Sequence, residues 1–188
     1  PPSDDALPRA LARLLWRKGQ DAWHVDAPIA VANGKVYAAS AFLDAEKVGR
    51  RSLLCLNAEN GEQAWELELQ LNPWGGPTIA GNTALVACSS IRFDRKLLKD
   101  ARGQVVACDA NSGAFKWRID VPGGVLSSIA VKGDTAVFAA TDGKVRAISV
   151  ADGKQKWAYE AANGFFGGPA IAGDYVYAAD LGGVLHAI

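Results

Sequence analysis

Few residues in this 188-residue chain are of the types that do chemistry, and their spacing narrows the choice further. The two histidines, His24 and His186, lie far apart, and neither has a second nitrogen or sulfur ligand at metal-binding spacing. Cys55, Cys88 and Cys108 cannot all pair with one another, and none belongs to a C-x-x-C or C-x-x-C-H pattern. Each sits in an apolar, strand-like run, so buried free thiols are expected. No G-x-S-x-G elbow, phosphate loop or dinucleotide fingerprint leads from a strand into a helix. No catalytic residue and no metal ligand is therefore assigned.

The remaining candidates are aromatic and cationic. Trp74-Gly75-Gly76-Pro77 is echoed by Phe166-Gly167-Gly168-Pro169. An aromatic beside two glycines could stack on a planar ligand, because the glycine backbone lets a ligand approach closely. The plainer alternative is that the aromatic packs over a junction between repeats and the glycines allow tight entry into the next strand; this packing reading is preferred. Two longer segments, SAFLDAEKVGRRS at 40–52 and SSIRFDRKLLKDARGQ at 89–104, carry Arg50 and Arg51, and Arg92, Arg95 and Lys96, respectively. They could form a cationic patch for an anionic partner, although Arg and Lys are ordinary residues of solvated loops.

These residues are held in a repeat. CLNAENGEQAW at 55–65, ACDANSGAFKW at 107–117 and AISVADGKQKW at 147–157 place Trp65, Trp117 and Trp157 at intervals of 52 and 40 residues, the period of propeller-type arrays. Gly61, Gly113 and Gly153 each stand four residues before their tryptophan. Every unit holds four short runs rich in β-branched and aromatic residues, parted by Gly-containing turns such as Asn33-Gly34 and Gly133-Asp134, which predicts a four-stranded antiparallel meander. In the fourth run Trp65, Leu67 and Leu69 alternate with Glu66 and Glu68, as in an outermost strand with one buried face and charges that discourage edge pairing. Both longer segments join the second and third strands of adjacent units, so they should project from one face, together with the segments carrying Trp74 and Phe166.

The N-terminal residues 1–26 read differently. Ala6, Leu7, Ala10, Leu11, Leu14 and Leu15 recur at helical spacing after acidic residues, predicting a short helix or linker ahead of a repeat domain over 27–188. Trp16 lies twelve residues before Pro28, as the repeat requires, but no glycine turn precedes it, so it is read as a degenerate fourth strand. The chain starts with Pro1 and has no methionine, and it reads as an excised piece. Lys plus Arg equal Asp plus Glu at 20 each, so no global field recruits nucleic acid or an anionic membrane. No apolar run approaches the roughly 18 to 20 residues of a transmembrane helix.

The phrase Ala107-x-Asp109-x-x-Ser112-Gly113-x-x-x-Trp117 resembles the tryptophan-docking motif of the pyrroloquinoline quinone (PQQ)-type β-propeller repeats, over roughly residues 27–188. That family includes quinoprotein alcohol dehydrogenases and non-enzymatic relatives such as the lipoprotein propeller of the outer-membrane barrel-assembly machinery. The resemblance implies an all-β propeller of four-stranded blades, here about three and a half to four of them, where the family closes its ring with about seven or eight. It also implies that Trp65, Trp117 and Trp157 stitch blades together through Gly61, Gly113, Gly153 and Asp109, and that the chain is extracytoplasmic or periplasmic. Only Gly and Trp recur in all three copies, which marks the motif as structural. The dehydrogenases' adjacent Cys-Cys pair is missing, and their acidic calcium site finds no match. The expected function is a non-catalytic scaffold that binds a protein or ligand and needs no cofactor, with a protein or a second chain completing the ring. The alternatives are part of a quinone dehydrogenase, with PQQ and calcium held by residues outside this chain, and a sensor module of a larger protein.

Overall fold

The computed structural model of the chain describes residues 14–19, 23–92 and 95–188. Period-two alternation between glycine turns produces three complete antiparallel meanders. The first is β1 (Ala30–Ala32), β2 (Lys35–Leu43), β3 (Val48–Asn57) and β4 (Gln63–Glu68). The second is β5 (Thr78–Ala80), β6 (Thr83–Ser89), β7 (Gly103–Asp109) and β8 (Phe115–Val121). The third is β9 (Ala130–Lys132), β10 (Thr135–Ala139), β11 (Lys144–Ser149) and β12 (Gln155–Glu160). A fourth blade holds β13 (Ala170–Ala172), β14 (Tyr175–Ala179) and β15 (Leu185–Ala187). The fold is an incomplete all-β propeller.

The core lies between blades. In β6, Ala84, Val86 and Cys88 pack against blade 1, while Leu85 and Ala87 face blade 3. Both sides of the central strands are thus out of water, whereas the outermost strands keep their charges in solvent: Lys116, Arg118, Lys156 and Glu160 are all exposed. All three thiols are free and buried. Burial raises the Cys55 thiol and pushes Cys108 up to about 12, and it drives Cys88 higher still. A thiol-reactive dye should therefore label none of the three in the native chain, and all of them after denaturation in guanidinium.

Two expectations need correction. Segment 40–52 is not a loop: β2 and β3 run past the core as a ribbon closed at 44–47, with Lys47 at φ 56 and a bulge between Ser40 and Phe42. Alternating residues such as Ala41 and Leu43 continue to find apolar neighbours, so pairing continues as well. The N-terminal helix is not supported: residues 14–19 are irregular, and residues 1–13, with most of the proposed helix, lie outside the described residues. Among the described residues the other segment, 89–104, contains a 3-10 helix over Arg95–Asp100. Among the described residues no helix is long and apolar enough to cross a membrane.

Candidate functional site

The repeated phrase builds one device three times. Gly61, Gly113 and Gly153 have φ of 72, 74 and 72, and each N–H donates to the carbonyl four residues earlier, of Asn57, Asp109 and Ser149. A bulge follows at the same place in each blade, after Cys55, Ala107 and Ala147. Only glycine takes this left-handed conformation without strain. The turn is capped by whichever small polar residue is present. Asn57 Oδ1 accepts from the N–H groups of Glu59 and Asn60 at 2.8 and 3.3 Å; Asp109 Oδ1 accepts from Asn111 and Ser112 at 3.0 and 2.9 Å; Ser149 Oγ accepts from Ala151 at 3.2 Å. The drift between copies is thus a substitution of equivalent acceptors.

The backbone and hydroxyl of Ser112 hold the Asp109 carboxyl below its ordinary value. A carboxyl with a depressed folded pKa contributes stability that is complete above the unfolded value of about 4 and is lost as pH falls through the folded value. Asp109→Asn should lower the neutral-pH midpoint modestly, because Asn82 Nδ2 and Lys116 lose the carboxylate oxygen they face, and should flatten the loss of stability below about pH 4. Urea titrations across that range check it.

Each tryptophan docks on the next blade. Trp65 Nε1 donates to Ala110 O at 3.2 Å and Trp117 Nε1 to Val150 O at 3.1 Å. Each acceptor lies three residues before the glycine of the next turn, and that glycine lies flat under the indole. A Cβ on Gly113 would stand 2.7 Å from Trp65, and one on Gly153 2.9 Å from Trp117. Trp16 does the same: Nε1 donates to Ala58 O at 2.8 Å, and a Cβ on Gly61 would stand 2.7 Å from its ring. The glycine Trp16 needs is therefore not one that precedes it but that of blade 1. Trp157 packs on the core between blades 3 and 4.

Trp74 and Phe166 are brought together on the other face. They join Ala41, Leu43 and Leu126 in one apolar cluster beside a cleft of about 470 Å³ that Ser127, Ser128 and Asp26 also line. The glycines after them mostly face neighbouring backbone rather than open space. A Cβ on Gly75 would meet Ser127 O at 2.3 Å, one on Gly76 Pro28 O at 2.3 Å, and one on Gly168 Ser128 O at 2.8 Å; Gly167 alone of the four is open. The close approach expected for a planar ligand is taken up by adjacent blades.

Among the described residues the arginines have neighbours of their own. Arg50 lies 3.8 Å from Glu66 and lines one cleft together with Arg51. Arg51 donates through Nε to Asn72 at 3.2 Å, sits 3.7 Å from Asp44 and covers the Phe42 ring at 5.4 Å. Arg92 lies 5.0 Å over the ring of Trp74. Lys96 is exposed in the 3-10 helix, and the side chain of Arg95 lies outside the described residues.

The residue that organises this face was not singled out from the sequence. Asn72 Oδ1 accepts from Phe42 N–H at 2.9 Å while its amide donates to Phe42 O at 3.1 Å, and its backbone carbonyl accepts from Ser89 N–H at 2.9 Å. Through its side chain and its backbone, this one residue ties the ribbon of blade 1 to blade 2. The available signal was its place in the repeat, since the matching positions carry Gly124 and Gly164.

The family model described as Outer membrane protein assembly factor BamB matches residues 6–91 and 90–188. Among solved structures, BamB from Moraxella catarrhalis is similar at 20% identity with a TM-score of 0.69, over 87% of this chain and 46% of that one. The computationally designed Ika4 protein is similar at 13% identity and TM-score 0.67, over 95% of this chain and 98% of that one. Quinohemoprotein alcohol dehydrogenase from Comamonas testosteroni is similar at 16% identity and TM-score 0.65, over 87% of this chain and 33% of that one. The chain thus spans about half the length of the BamB structure it matches. No curated protein matches the sequence.

Proposed function

The chain belongs to the PQQ-like repeat family of the outer membrane protein assembly factor BamB, and from that premise we propose that it is a non-catalytic scaffold that binds a protein partner in an extracytoplasmic compartment. The observation that carries this reading is the face built around Asn72 and Trp74, where the insertions of two adjacent blades are braced against each other. Pre-organised walls reduce the ordering cost of binding.

The cleft beside Trp74 and Phe166 presents one carboxylate, Asp26, and no cation among its described lining residues, so under the alternative reading pyrroloquinoline quinone and calcium would be held by residues outside this chain. Among the described residues no three His, Cys, Asp or Glu side chains gather as metal ligands. The test has two arms. In the first, the chain is titrated with a purified outer-membrane β-barrel protein, diluted from urea, and with the soluble part of a barrel-assembly machine; saturable binding to either supports the scaffold. In the second, pyrroloquinoline quinone and calcium are added; saturable quinone binding with dye-linked alcohol oxidation, and no protein binding, overturns it.

A further inference from the structure

The turn Asn33-Gly34 inverts the order of its counterparts. In the other blades the turn after the first strand reads Gly81-Asn82, Gly133-Asp134 and Gly173-Asp174, with the glycine first at φ 57, 57 and 58. In blade 1 the asparagine takes that left-handed place at φ 50, and Gly34 follows at φ 70. The two residues are the whole loop between Ala32 and Lys35, which pair across the hairpin. Asn33 is exposed. Among the described residues nothing hydrogen-bonds its amide or the N–H of Gly34, and a Cβ on Gly34 would meet nothing within 4 Å. Every other asparagine has its side chain engaged. Asn57 caps its turn, Asn72 holds Phe42, and Asn82 and Asn111 bond each other at 2.6 Å. The two further Asn-Gly bonds are restrained at both residues. Asn60 Oδ1 accepts from Glu62 N–H at 2.9 Å, and the N–H of Gly61 donates to Asn57 O at 2.9 Å beneath the Trp16 ring. Asn163 Nδ2 donates to Asp180 at 3.4 Å, and Gly164 is wedged against Thr141 O, which lies 2.4 Å from where its Cβ would stand.

We propose that Asn33 is a site of spontaneous covalent modification, with water as the only co-reactant, and that its isoaspartyl product loosens the dock of Trp16 on blade 1. The Gly34 nitrogen attacks Cγ of Asn33: the N–Cγ bond forms, the Cγ–Nδ2 bond breaks, and Nδ2 leaves as ammonia with the proton that Gly34 gives up. Glycine at 34 puts no Cβ in the path of that approach. Water then opens the cyclic imide on either side. Opening at Cγ leaves aspartate in an unaltered chain, whereas opening at the main-chain carbonyl leaves isoaspartate, with one more carbon in the backbone. Either product places a carboxylate at the turn. Isoaspartate also lengthens a two-residue loop that sets the register of β1 on β2. Gly34 O accepts from Ala58 N–H at 2.9 Å, and Ala58 O receives the Trp16 indole at 2.8 Å, so a longer turn at 33–34 is felt at the dock.

The full chain is incubated at mildly alkaline pH, folded and in urea, and its tryptic peptides are followed by mass spectrometry after chromatography that separates the isoaspartyl form. In the folded chain the peptide ending at Lys35 should convert at least about tenfold faster than those carrying Asn60 and Asn163, the scale of the hydrogen bonds that must break there first. In urea that difference should vanish. The rate should rise with pH, because the attacking nitrogen must lose its proton. Asn33→Gly keeps a residue suited to the left-handed place and removes the reacting amide, so it should melt with the fresh parent and stay unchanged at this turn on ageing. The aged parent should melt lower in step with its isoaspartate content. Conversion of Asn60 or Asn163 that keeps pace with Asn33 in the folded chain, an Asn33 that stays intact while the chain in urea converts, or an aged parent that melts no lower than aged Asn33→Gly overturns the proposal.

Discussion

Trp65→Ala is expected to cost about 3–5 kcal/mol of unfolding free energy, the range for truncating a buried aromatic in a core that cannot collapse around the gap. Trp65 is 8% exposed, packs with Tyr37 at 5.9 Å between ring centroids, and lies on a glycine that has no side chain to move into the vacated space. Trp65→Phe separates the two contributions. It keeps much of the apolar contact and removes the hydrogen bond to Ala110, for a loss of about 1–2 kcal/mol. The acceptor is not orphaned in either variant, because Tyr37 Oη also donates to Ala110 O at 3.1 Å. Urea unfolding of the two variants beside the parent decides the matter. A loss below about 1 kcal/mol for the alanine variant would mean that the blades are held by their strand faces and not by the docked indole.

The blade, its strand order and its outermost charges were legible because they are periodic within one repeat. The partners of the docking residues were not. Gly113 and Trp117 stand four residues apart, yet Gly113 serves Trp65 of the blade before and Trp117 serves Gly153 of the blade after. A sequence repeat looks the same when shifted by one blade, so spacing alone does not say whether a contact is made within a unit or between units. The same limit hid the role of Trp16, whose glycine lies 45 residues downstream at Gly61. The neighbours of the cations were hidden for a different reason: spacing along the chain does not show that Arg50 meets a glutamate, Arg51 an asparagine and an aspartate, and Arg92 an indole ring. Asn72 was obscured by being the one copy that departs from its own repeat.

Gly75→Ala should lower stability by about 3 kcal/mol, at the upper end of what overpacking costs, while Gly167→Ala at the matching position should be neutral or raise it by about 0.5 kcal/mol. The repeat supplies the control. The position between them in sequence order is Ser127, which already carries a Cβ, and neither glycine adopts a left-handed φ, so the backbone conformation itself accepts a side chain. What differs is space. At Gly75 the added carbon would lie 2.3 Å from Ser127 O and 2.5 Å from its carbonyl carbon, and backbone yields less readily than a rotamer; at Gly167 nothing lies within 4 Å. Because Gly75 follows Trp74 directly, any relief obtained by moving the segment would also displace the indole from beneath Arg92. Equal melting temperatures for the two variants would show that the inner segments of the blades slide past one another freely, and that the face around Trp74 is not held by its neighbours.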